Sequence, residues 1–316
     1  MARRALGPAT LAVAQAVQHT LVVDDQVLML ACSGGADSLA LAGATVFVAR
    51  RTQLPLSALV VDHGLQAGSG VVASRARQQL VQLGIPDVVV RQVSVDPDAR
   101  TGVEAAARTA RYGALESEAA ARRATVLLGH TLDDQAETVL LGLARGSGNR
   151  SLAGMAERSG RYLRPLLGLP RTVTRKACQE LQLTPWEDPH NSDDRYARPR
   201  VRSRVLPLLE AELGPGIAKS LHRTARLARD DADLLDELAR QAHPASDTLD
   251  CDRLAALHPA LRRRVIHRWL AGRTGSEVAF VHVVAVEELV TGWHGQDGVD
   301  LPGRLVRRTD GRLVCT

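Results

Sequence analysis

The sequence is poor in three kinds of residue that often define a function. Aromatic residues make up 3% of its 316 residues, lysine occurs twice against 38 arginines, and cysteine occurs four times. The cysteines are Cys32, Cys178, Cys251 and Cys315. No two of them form a Cys-x-x-Cys pair, so the sequence suggests neither a disulfide framework nor a thiolate metal site.

Long apolar runs are also missing. No stretch approaches the roughly 20 apolar residues of a membrane helix, and the N-terminus has no signal-like apolar core. We therefore expect a cytoplasmic protein without membrane contact. Hydrophobic residues make up 45% and charged residues 24%, as in a soluble enzyme, and 316 residues favour two domains. The net charge of +5 favours a polyanionic partner only weakly, and the many arginines can reflect coding bias alone.

A turn rich in glycine and serine is the most informative feature that is present. Residues 33–38 read Ser-Gly-Gly-Ala-Asp-Ser, between an apolar run over 27–32 and a helix-like segment over 39–50. Glycine lets the backbone approach a phosphate, serine offers a hydroxyl donor, and the following helix directs unpaired N–H groups at negative charge. The turn predicts a nucleotide phosphate site, and the alternative is an ordinary glycine-rich turn between strand and helix.

The turn matches neither of the two commonest phosphate loops. No Gly-Lys-Ser/Thr follows it, and no Gly-x-Gly-x-x-Gly fits these residues. Ser-Gly-Gly-x-Asp-Ser at the end of a first strand instead resembles the PP-loop ATP pyrophosphatase family. This resemblance implies that ATP is cleaved between its α and β phosphates and that a substrate is adenylated.

Short β-branched runs alternate with amphipathic segments from residue 27 to about residue 145. They predict strands over 27–32, 56–61, 87–93 and 125–129. Between and after them, helices are predicted over 36–50, 70–83, 102–123 and 133–145. This alternation predicts an α/β fold with a parallel, Rossmann-like sheet, whose ligands lie beyond the carboxyl ends of the strands.

The pattern changes beyond this region. Residues 146–204 lose periodicity and are predicted to form loops around one helix near 171–182. Helices are predicted near 217–241, 258–271 and 276–291, before short strand-like runs near 298–315. We expect a PP-loop catalytic domain over 1–213, with an arginine-rich connecting segment, and a smaller, mainly helical substrate-binding domain over 214–316.

Three carboxylates crowd the start of the helix that follows the fourth strand. Asp133 and Asp134 open this helix, and Glu137 lies one turn further on. Acidic residues favour a helix N-terminus, so one interpretation is a well-capped core helix. Beside a phosphate loop the cluster also suits Mg²⁺, which prefers carboxylate and phosphate oxygens, or a cationic amine substrate.

Several motifs in a fixed order extend the resemblance. They occupy residues 33–38, 61–65, 107–112, 129–148, 164–167 and 186–191. Together they resemble the tRNA(Ile)-lysidine synthetase family over roughly residues 27–210, and the C-terminal third is similar only to the helical extension of its shorter members. The resemblance implies ATP-dependent ligation of free L-lysine to C2 of the wobble cytidine in an isoleucine tRNA with a CAU anticodon. The reaction would pass through an adenylated cytidine and release AMP and pyrophosphate.

The resemblance also implies a role for individual residues. ATP binding would fall to Ser33, Gly34, Gly35, Ala36, Asp37, Ser38, His63, Gly129 and His130. The catalytic set would be Asp37, Arg111, Asp133, Asp134 and Glu137, with Arg111 at the phosphate or adenylate and with Asp37 and Asp134 as Mg²⁺ ligands. The two histidines serve packing equally well, and the division of the carboxylates between lysine ammonium and metal stays open.

Five arginines lie within ten residues, with Tyr196 among them for base stacking. They are Arg195, Arg198, Arg200, Arg202 and Arg204. Their spacing is too tight for burial, so we expect a phosphate-binding strip for tRNA, with a solvated arginine-rich loop as the alternative. The family usually shows Asn-Arg-Ile-Arg where this chain has Pro-Arg-Val-Arg over 199–202, and His190 replaces a small hydroxyl residue.

Two other functions are compatible with the same phosphate loop. A PP-loop tRNA thiolase would adenylate its substrate and then deliver sulfur, which normally needs paired or persulfide-bearing cysteines. A non-catalytic RNA-binding protein on a nucleotide fold would have lost the acidic and loop residues, and these are present. The sequence leaves the oligomeric state open, a homodimer included.

Overall fold

The computed structural model describes residues 6–66, 68–96, 102–146, 148–188, 193–243, 246–274 and 278–316. The chain divides into two compact units. The first contains 1–145 and 154–225, and the second contains 146–153 and 226–316. This division runs through a long helix, and the domain boundary expected near residue 214 stays a prediction.

A six-stranded sheet in the order β3-β2-β1-β4-β6-β5 forms the centre of the first unit. Its strands are β1 (Leu28–Cys32), β2 (Leu56–Asp62), β3 (Asp87–Gln92), β4 (Thr125–Leu128), β5 (Arg158–Ser159) and β6 (Tyr162–Leu163). β1 pairs in parallel with both β2 and β4, while β5 runs antiparallel to β6. The parallel α/β sheet expected from the sequence is confirmed. Each of the four longer strands contains a recognisable apolar run, and β1, β2 and β4 are mostly buried, whereas β3 is partly exposed.

Helices cover both faces of this sheet, as right-handed crossovers require. In chain order the helices of the protein are α1 (Pro8–Thr20), α2 (Ala36–Thr52), α3 (Ser69–Gln82), α4 (Val103–Arg122), α5 (Leu132–Ala144), α6 (Asn149–Leu152), α7 (Arg171–Glu180), α8 (Ala197–Arg200), α9 (Leu206–Glu212), α10 (Ile217–Ala242), α11 (Cys251–Ala256), α12 (Pro259–Thr274) and α13 (Phe280–Thr291). Residues of α1, α2, α3 and α7 share one core with Leu28 and Leu30 of β1. α4 shares another with Met29, so successive β1 side chains serve opposite faces.

Two helical segments differ from the sequence-based expectation. α1 lies before residue 27, where no helix was predicted, and no neighbouring side chain caps its N-terminus. The distant Glu180 instead accepts hydrogen bonds from the backbone N–H groups of Ala9 (3.0 Å) and Thr10 (2.8 Å). Residues 197–204 were expected in a loop, and this was wrong. Residues 197–212 are helical instead. They form α8, a π-helical turn and α9, because Val201 and Leu206 are buried in a small core beside α5.

The second unit packs helices against a four-stranded antiparallel sheet in the order β7-β10-β9-β8. Its strands are β7 (Leu249–Asp250), β8 (Val299–Leu301), β9 (Arg304–Thr309) and β10 (Arg312–Cys315). Ile266 and Leu270 of α12 share its core with Val286 of α13 and Val306 of β9. The expected helical region followed by short strands is confirmed. In the described part of the chain, no helix is long and apolar enough to cross a membrane.

Candidate active site

The phosphate loop lies at the carboxyl end of the central strand β1. Gly34 has a φ of +83°, in the left-handed region that favours glycine. The Ser38 hydroxyl donates to the carbonyl of Gly35 (2.9 Å) and accepts from the backbone N–H of Ser33 (3.3 Å). Ser38 therefore shapes the turn. α2 begins directly after Gly35, which places its unpaired N–H groups at this edge of the sheet.

Gly129 follows β4 at the same edge. A Cβ atom at Gly129 would lie 3.0 Å from the carbonyl carbon of Asp37 and 3.0 Å from the backbone nitrogen of Ser38. Backbone atoms cannot move aside as the end of a flexible side chain can, so this close approach requires glycine. Gly129 thus lets the end of β4 lie against the first turn of α2.

Asp134 lies at the N-terminus of α5 and caps it. One of its oxygens, Oδ2, accepts from the backbone N–H (2.8 Å) and the hydroxyl (2.9 Å) of Thr131. The other, Oδ1, accepts from Nη2 of Arg171 (2.8 Å). Burial alone raises the pKa of Asp134, but Arg171 and the Thr131 donors together hold it below its ordinary value. Asp134 is therefore ionised, with both oxygens engaged.

Arg171, which the sequence did not single out, is the cation at the centre of the cluster. Its guanidinium lies 2.8 Å from Asp134, 3.4 Å from Asp37 and 3.8 Å from Glu137. Its backbone N–H donates to Oδ2 of Asp133 (2.8 Å), so that carboxylate anchors the start of α7. An arginine in the first turn of a helix opposes the helix dipole, but this weak signal does not reveal its partners.

Asp37 lies in the first turn of α2 and faces α7. It accepts hydrogen bonds from the hydroxyl of Thr174 and from Nε of Arg171 (3.4 Å). Burial raises the pKa of Asp37 above its ordinary value, and these two donors only partly oppose that effect. The site thus holds a carboxylate whose charge is poorly compensated at the edge of the phosphate loop.

Glu137 is the most deeply buried of the acidic residues, with no exposed side-chain surface. Its two oxygens accept from Nε (2.7 Å) and Nη2 (3.0 Å) of Arg202, and Nε of Arg198 lies 3.5 Å away. Burial raises its pKa, although Arg202 opposes the shift. A buried charge of this kind requires a cationic partner, and here two arginines of the helical segment supply it.

The five arginines of that segment lie on two faces of it. Arg198 and Arg202 turn toward α5 and are partly buried, so the expectation that none of the five could be buried was wrong. Arg195, Arg200 and Arg204 are exposed. Arg195 pairs with Asp193, Arg204 pairs with Asp194, and Arg200 donates to backbone carbonyls. A role for the exposed arginines in binding tRNA stays a prediction.

His63 and His130 form a second group with Arg111. The Nδ1 atom of each histidine is buried and has no hydrogen-bond partner among the described residues. Burial lowers the pKa of His130 to about 3 and, together with the nearby Arg111, lowers that of His63. Both rings are therefore neutral at pH 7. Buried polar atoms are normally paired, so these two nitrogens offer hydrogen-bonding capacity to a ligand.

The fit to Mg²⁺ differs between the two candidate ligands. Within the described residues, no three His, Cys, Asp or Glu side chains are grouped to hold a metal ion. Mg²⁺ usually takes only one or two protein carboxylates and completes its shell with water and substrate phosphates. Asp37 suits that role better than Asp134, because it lies beside the phosphate loop and its contact with Arg171 is longer (3.4 Å against 2.8 Å).

Part of the last sequence motif also reaches the loop. The backbone N–H of Trp186 donates to the carbonyl of Gly34 (2.9 Å). Residues 189–191 of that motif, His190 among them, lie outside the described residues, as does Ser147 of the motif over 129–148.

Comparison with known proteins identifies both parts of the chain. Residues 9–209 match a PP-loop domain, and residues 249–314 match a TilS substrate binding domain. A U34-tRNA thiolase from Methanococcus maripaludis has a similar fold, with a TM-score of 0.57 and 19% identity over 70% of this chain and 80% of that chain. At this identity the likeness concerns the fold alone.

Two curated relatives are much more similar in sequence. The tRNA(Ile)-lysidine synthase of Streptomyces coelicolor is 50% identical over 299 residues, which cover 91% of this chain and 84% of that relative. The enzyme of the same name from Thermobifida fusca is 51% identical over 298 residues, which cover 92% of this chain and 91% of that relative. With this identity over nearly the whole length and both domains matched, the chain belongs to the tRNA(Ile)-lysidine synthase family.

Proposed function

We propose that the protein ligates free lysine to C2 of the wobble cytidine of an isoleucine tRNA with a CAU anticodon. The reaction consumes ATP, passes through an adenylated cytidine and releases AMP and pyrophosphate. One observation carries this proposal beyond the family name. A single guanidinium, that of Arg171, lies within 4 Å of Asp37 at the phosphate loop and of Asp134 and Glu137 on α5. A site for a nucleotide and a site for an amine are thus neighbours.

The phosphate loop accounts for the first step. Its backbone N–H groups and the serine hydroxyls bind the phosphates of ATP, while the cytidine C2 oxygen attacks the α-phosphorus and pyrophosphate leaves. Adenylation converts a poor amide-like oxygen into a good leaving group. Mg²⁺ held by Asp37 would supply positive charge to the phosphates, and the neutral His63 and His130 would orient the nucleotide or the base.

The acidic cluster accounts for the second step. The lysine ε-ammonium has an ordinary pKa of about 10.4, so it must lose a proton before it attacks C2 and displaces AMP. Asp134 and Glu137 would bind the ammonium in place of the guanidinium groups that face them in the free protein. Glu137 suits proton removal, because a carboxylate with a raised pKa is a stronger base than an ordinary glutamate.

The cysteines argue against the thiolase alternative. Cys32 and Cys178 are buried, and burial raises the pKa of Cys178 to about 12. Its thiol donates to the carbonyl of Ala36 (3.2 Å). Sulfur transfer requires an accessible thiolate or persulfide, and a buried, protonated thiol provides neither.

Incorporation of labelled lysine tests the proposed function directly. With ATP, Mg²⁺ and isoleucine tRNA bearing a CAU anticodon, we expect lysine to enter the tRNA and lysidine to appear on nucleoside analysis. A methionine tRNA with the same anticodon serves as the specificity control. Normal pyrophosphate release without lysine attachment would falsify the proposal and point to another PP-loop activity.

A further inference from the structure

A shallow, open cavity lies on the surface of the first unit beside α4. It has a volume of about 560 Å³ and is lined by Arg108, Thr109, Tyr112, Gly113, Glu116 and Tyr162, which belong to α4 and β6. α4 covers one face of the sheet, whereas α2, which follows the phosphate loop, packs on the other. The cavity therefore lies on the α4 face of the sheet, and Arg108 and Arg111 lie between it and His130 of the candidate site.

Stacking surfaces are concentrated at this cavity. The chain has only three tyrosines, and two of them meet here. The rings of Tyr112 and Tyr162 pack edge to face, with centroids 5.3 Å apart and an interplanar angle of 67°. The guanidinium of Arg108 lies 4.9 Å from the centroid of the Tyr112 ring, and that of Arg111 lies 5.4 Å from it. Rings flanked by guanidinium groups suit a planar, electron-rich ligand.

The orientation of Tyr162 is fixed by a polar contact. Its hydroxyl donates to Oε2 of Glu116 (3.0 Å), and the other oxygen of Glu116 lies 2.9 Å from Nε of Arg161. A ring held in this way is a prepared surface, because little side-chain entropy remains to be lost when a ligand stacks on it.

We infer that this cavity binds a nucleobase of the RNA substrate, namely an unpaired base other than the reacting cytidine. The inference rests on the proposed function, which supplies an RNA with an exposed loop. Proteins recognise unpaired RNA bases by stacking them on aromatic rings and arginine planes. The adenine of ATP has the same chemistry, but the phosphate loop leads into the helix on the opposite face of the sheet. The exposed Arg108 also suits a phosphate that flanks a base in RNA.

Gly113 allows the cavity to be filled without removing any contact. It lies within α4, and a Cβ atom there would meet no heavy atom within 4 Å. We expect Gly113→Leu to weaken binding of an anticodon stem-loop RNA about tenfold, the scale of one lost base stack. Gly113→Ala is the matched control and should bind this RNA as the wild type does. ATP affinity should be equal in all three proteins.

A fluorescent base identifies the occupant. In stem-loops that carry 2-aminopurine at one loop position at a time, excluding the wobble position, one position should be quenched by the wild type. Tyr162→Leu should remove this quenching, and Tyr162→Phe, which keeps the ring, should retain it. Arg108→Ala changes an exposed side chain, so it should weaken binding of the same stem-loop without affecting folding.

The outcomes separate the possibilities. Loss of ATP affinity in Gly113→Leu with unchanged RNA affinity would assign the cavity to adenine and overturn the inference, as would unchanged affinity for both. The fluorescence needs no lysine and no turnover. Quenching by a protein that attaches no lysine would therefore refute the proposed function while supporting this site.

Discussion

Arg171 compensates three carboxylates at once, and its removal should be costly. In Arg171→Ala, the partly buried Asp37 and Asp134 lose a partner within 3.4 Å, and the buried Glu137 loses part of its compensation. Because an uncompensated buried charge is strongly unfavourable, we expect the free energy of unfolding to fall by about 3 kcal/mol. Urea denaturation at pH 7 measures this change.

The same helix offers a matched control for that experiment. Arg175 is 64% exposed, and its contact with Glu187 is 3.8 Å long. Arg175→Ala should change the free energy of unfolding by no more than about 0.5 kcal/mol. Equal losses in the two variants would mean that Arg171 is an ordinary surface arginine.

Asp37 should matter for chemistry more than for folding. Asp37→Asn keeps the volume of the side chain and an oxygen for the Thr174 hydroxyl, but it removes the charge beside the phosphate loop. We expect ATP–pyrophosphate exchange in the presence of tRNA to be lost, while the thermal unfolding curve stays close to that of the wild type. Retained exchange would assign Asp37 a structural role.

At the level of residues, sequence reasoning found only part of the candidate site. The loop occupies six consecutive residues, 33–38, and the carboxylates of α5 lie within 133–137, so the sequence alone reveals the chemistry of each group. Arg171 and Thr174 reach Asp37 from a helix more than 130 residues further along the chain, and no local pattern marks that approach. Arg202 and Glu137 were each singled out from the sequence, but their pairing was not predicted, because a contact across 65 residues depends on tertiary packing.

At the scale of elements, the predictable parts were those with a local cause. Each longer strand of the first unit is an apolar run ended by a turn, so its position follows from sequence. α1 depends instead on capping by Glu180, whose carboxylate lies 170 residues away. The helical segment over 197–212 depends on burial of Val201 and Leu206. Its density of arginines hid the few apolar residues that determine its conformation.

The two faces of this segment should behave differently in RNA binding. Arg200 and Arg204 face solvent. Replacing both with alanine should make the slope of log K for tRNA binding against log salt concentration shallower by about 1 to 2, because fewer counterions are released. Arg202→Ala should leave the slope nearly unchanged and instead reduce lysine incorporation, because Arg202 pairs with Glu137. Filter binding across a salt series measures the slopes. A smaller slope in Arg202→Ala would place that arginine at the RNA.

Across the whole molecule, ion pairs of carboxylates with arginines predict sensitivity to acid in both units. In the first unit, burial alone would raise the pKa of Asp25. Hydrogen bonds from Arg158, Thr125 and the Val22 N–H outweigh burial and hold this pKa below its ordinary value. In the second, Arg263 and Arg262 likewise outweigh the effect of burial and lower the pKa of Glu287. A carboxylate with a depressed pKa stabilises the fold above its unfolded-state pKa, and this stability is lost as the pH falls through the folded-state value.

The urea midpoint should therefore fall steeply below about pH 4, where the paired carboxylates take up protons. Between pH 7 and about pH 5 it should fall more gently, because an unfolded histidine takes up a proton near its ordinary pKa of about 6.5, whereas the buried His130, with a pKa of about 3, stays neutral in the fold. Asp25→Asn tests one contributor, since Asp25 accepts hydrogen bonds from Arg158 (2.6 Å) and Thr125 (2.6 Å). We expect this variant to lose about 2 kcal/mol at pH 7, the scale of hydrogen bonds to a charged group, and less at pH 3. The exposed neighbour Asp24, replaced by asparagine, is the control. A loss in Asp25→Asn that is the same at both pH values would show that packing, and not the ionised carboxylate, stabilises this part of the fold.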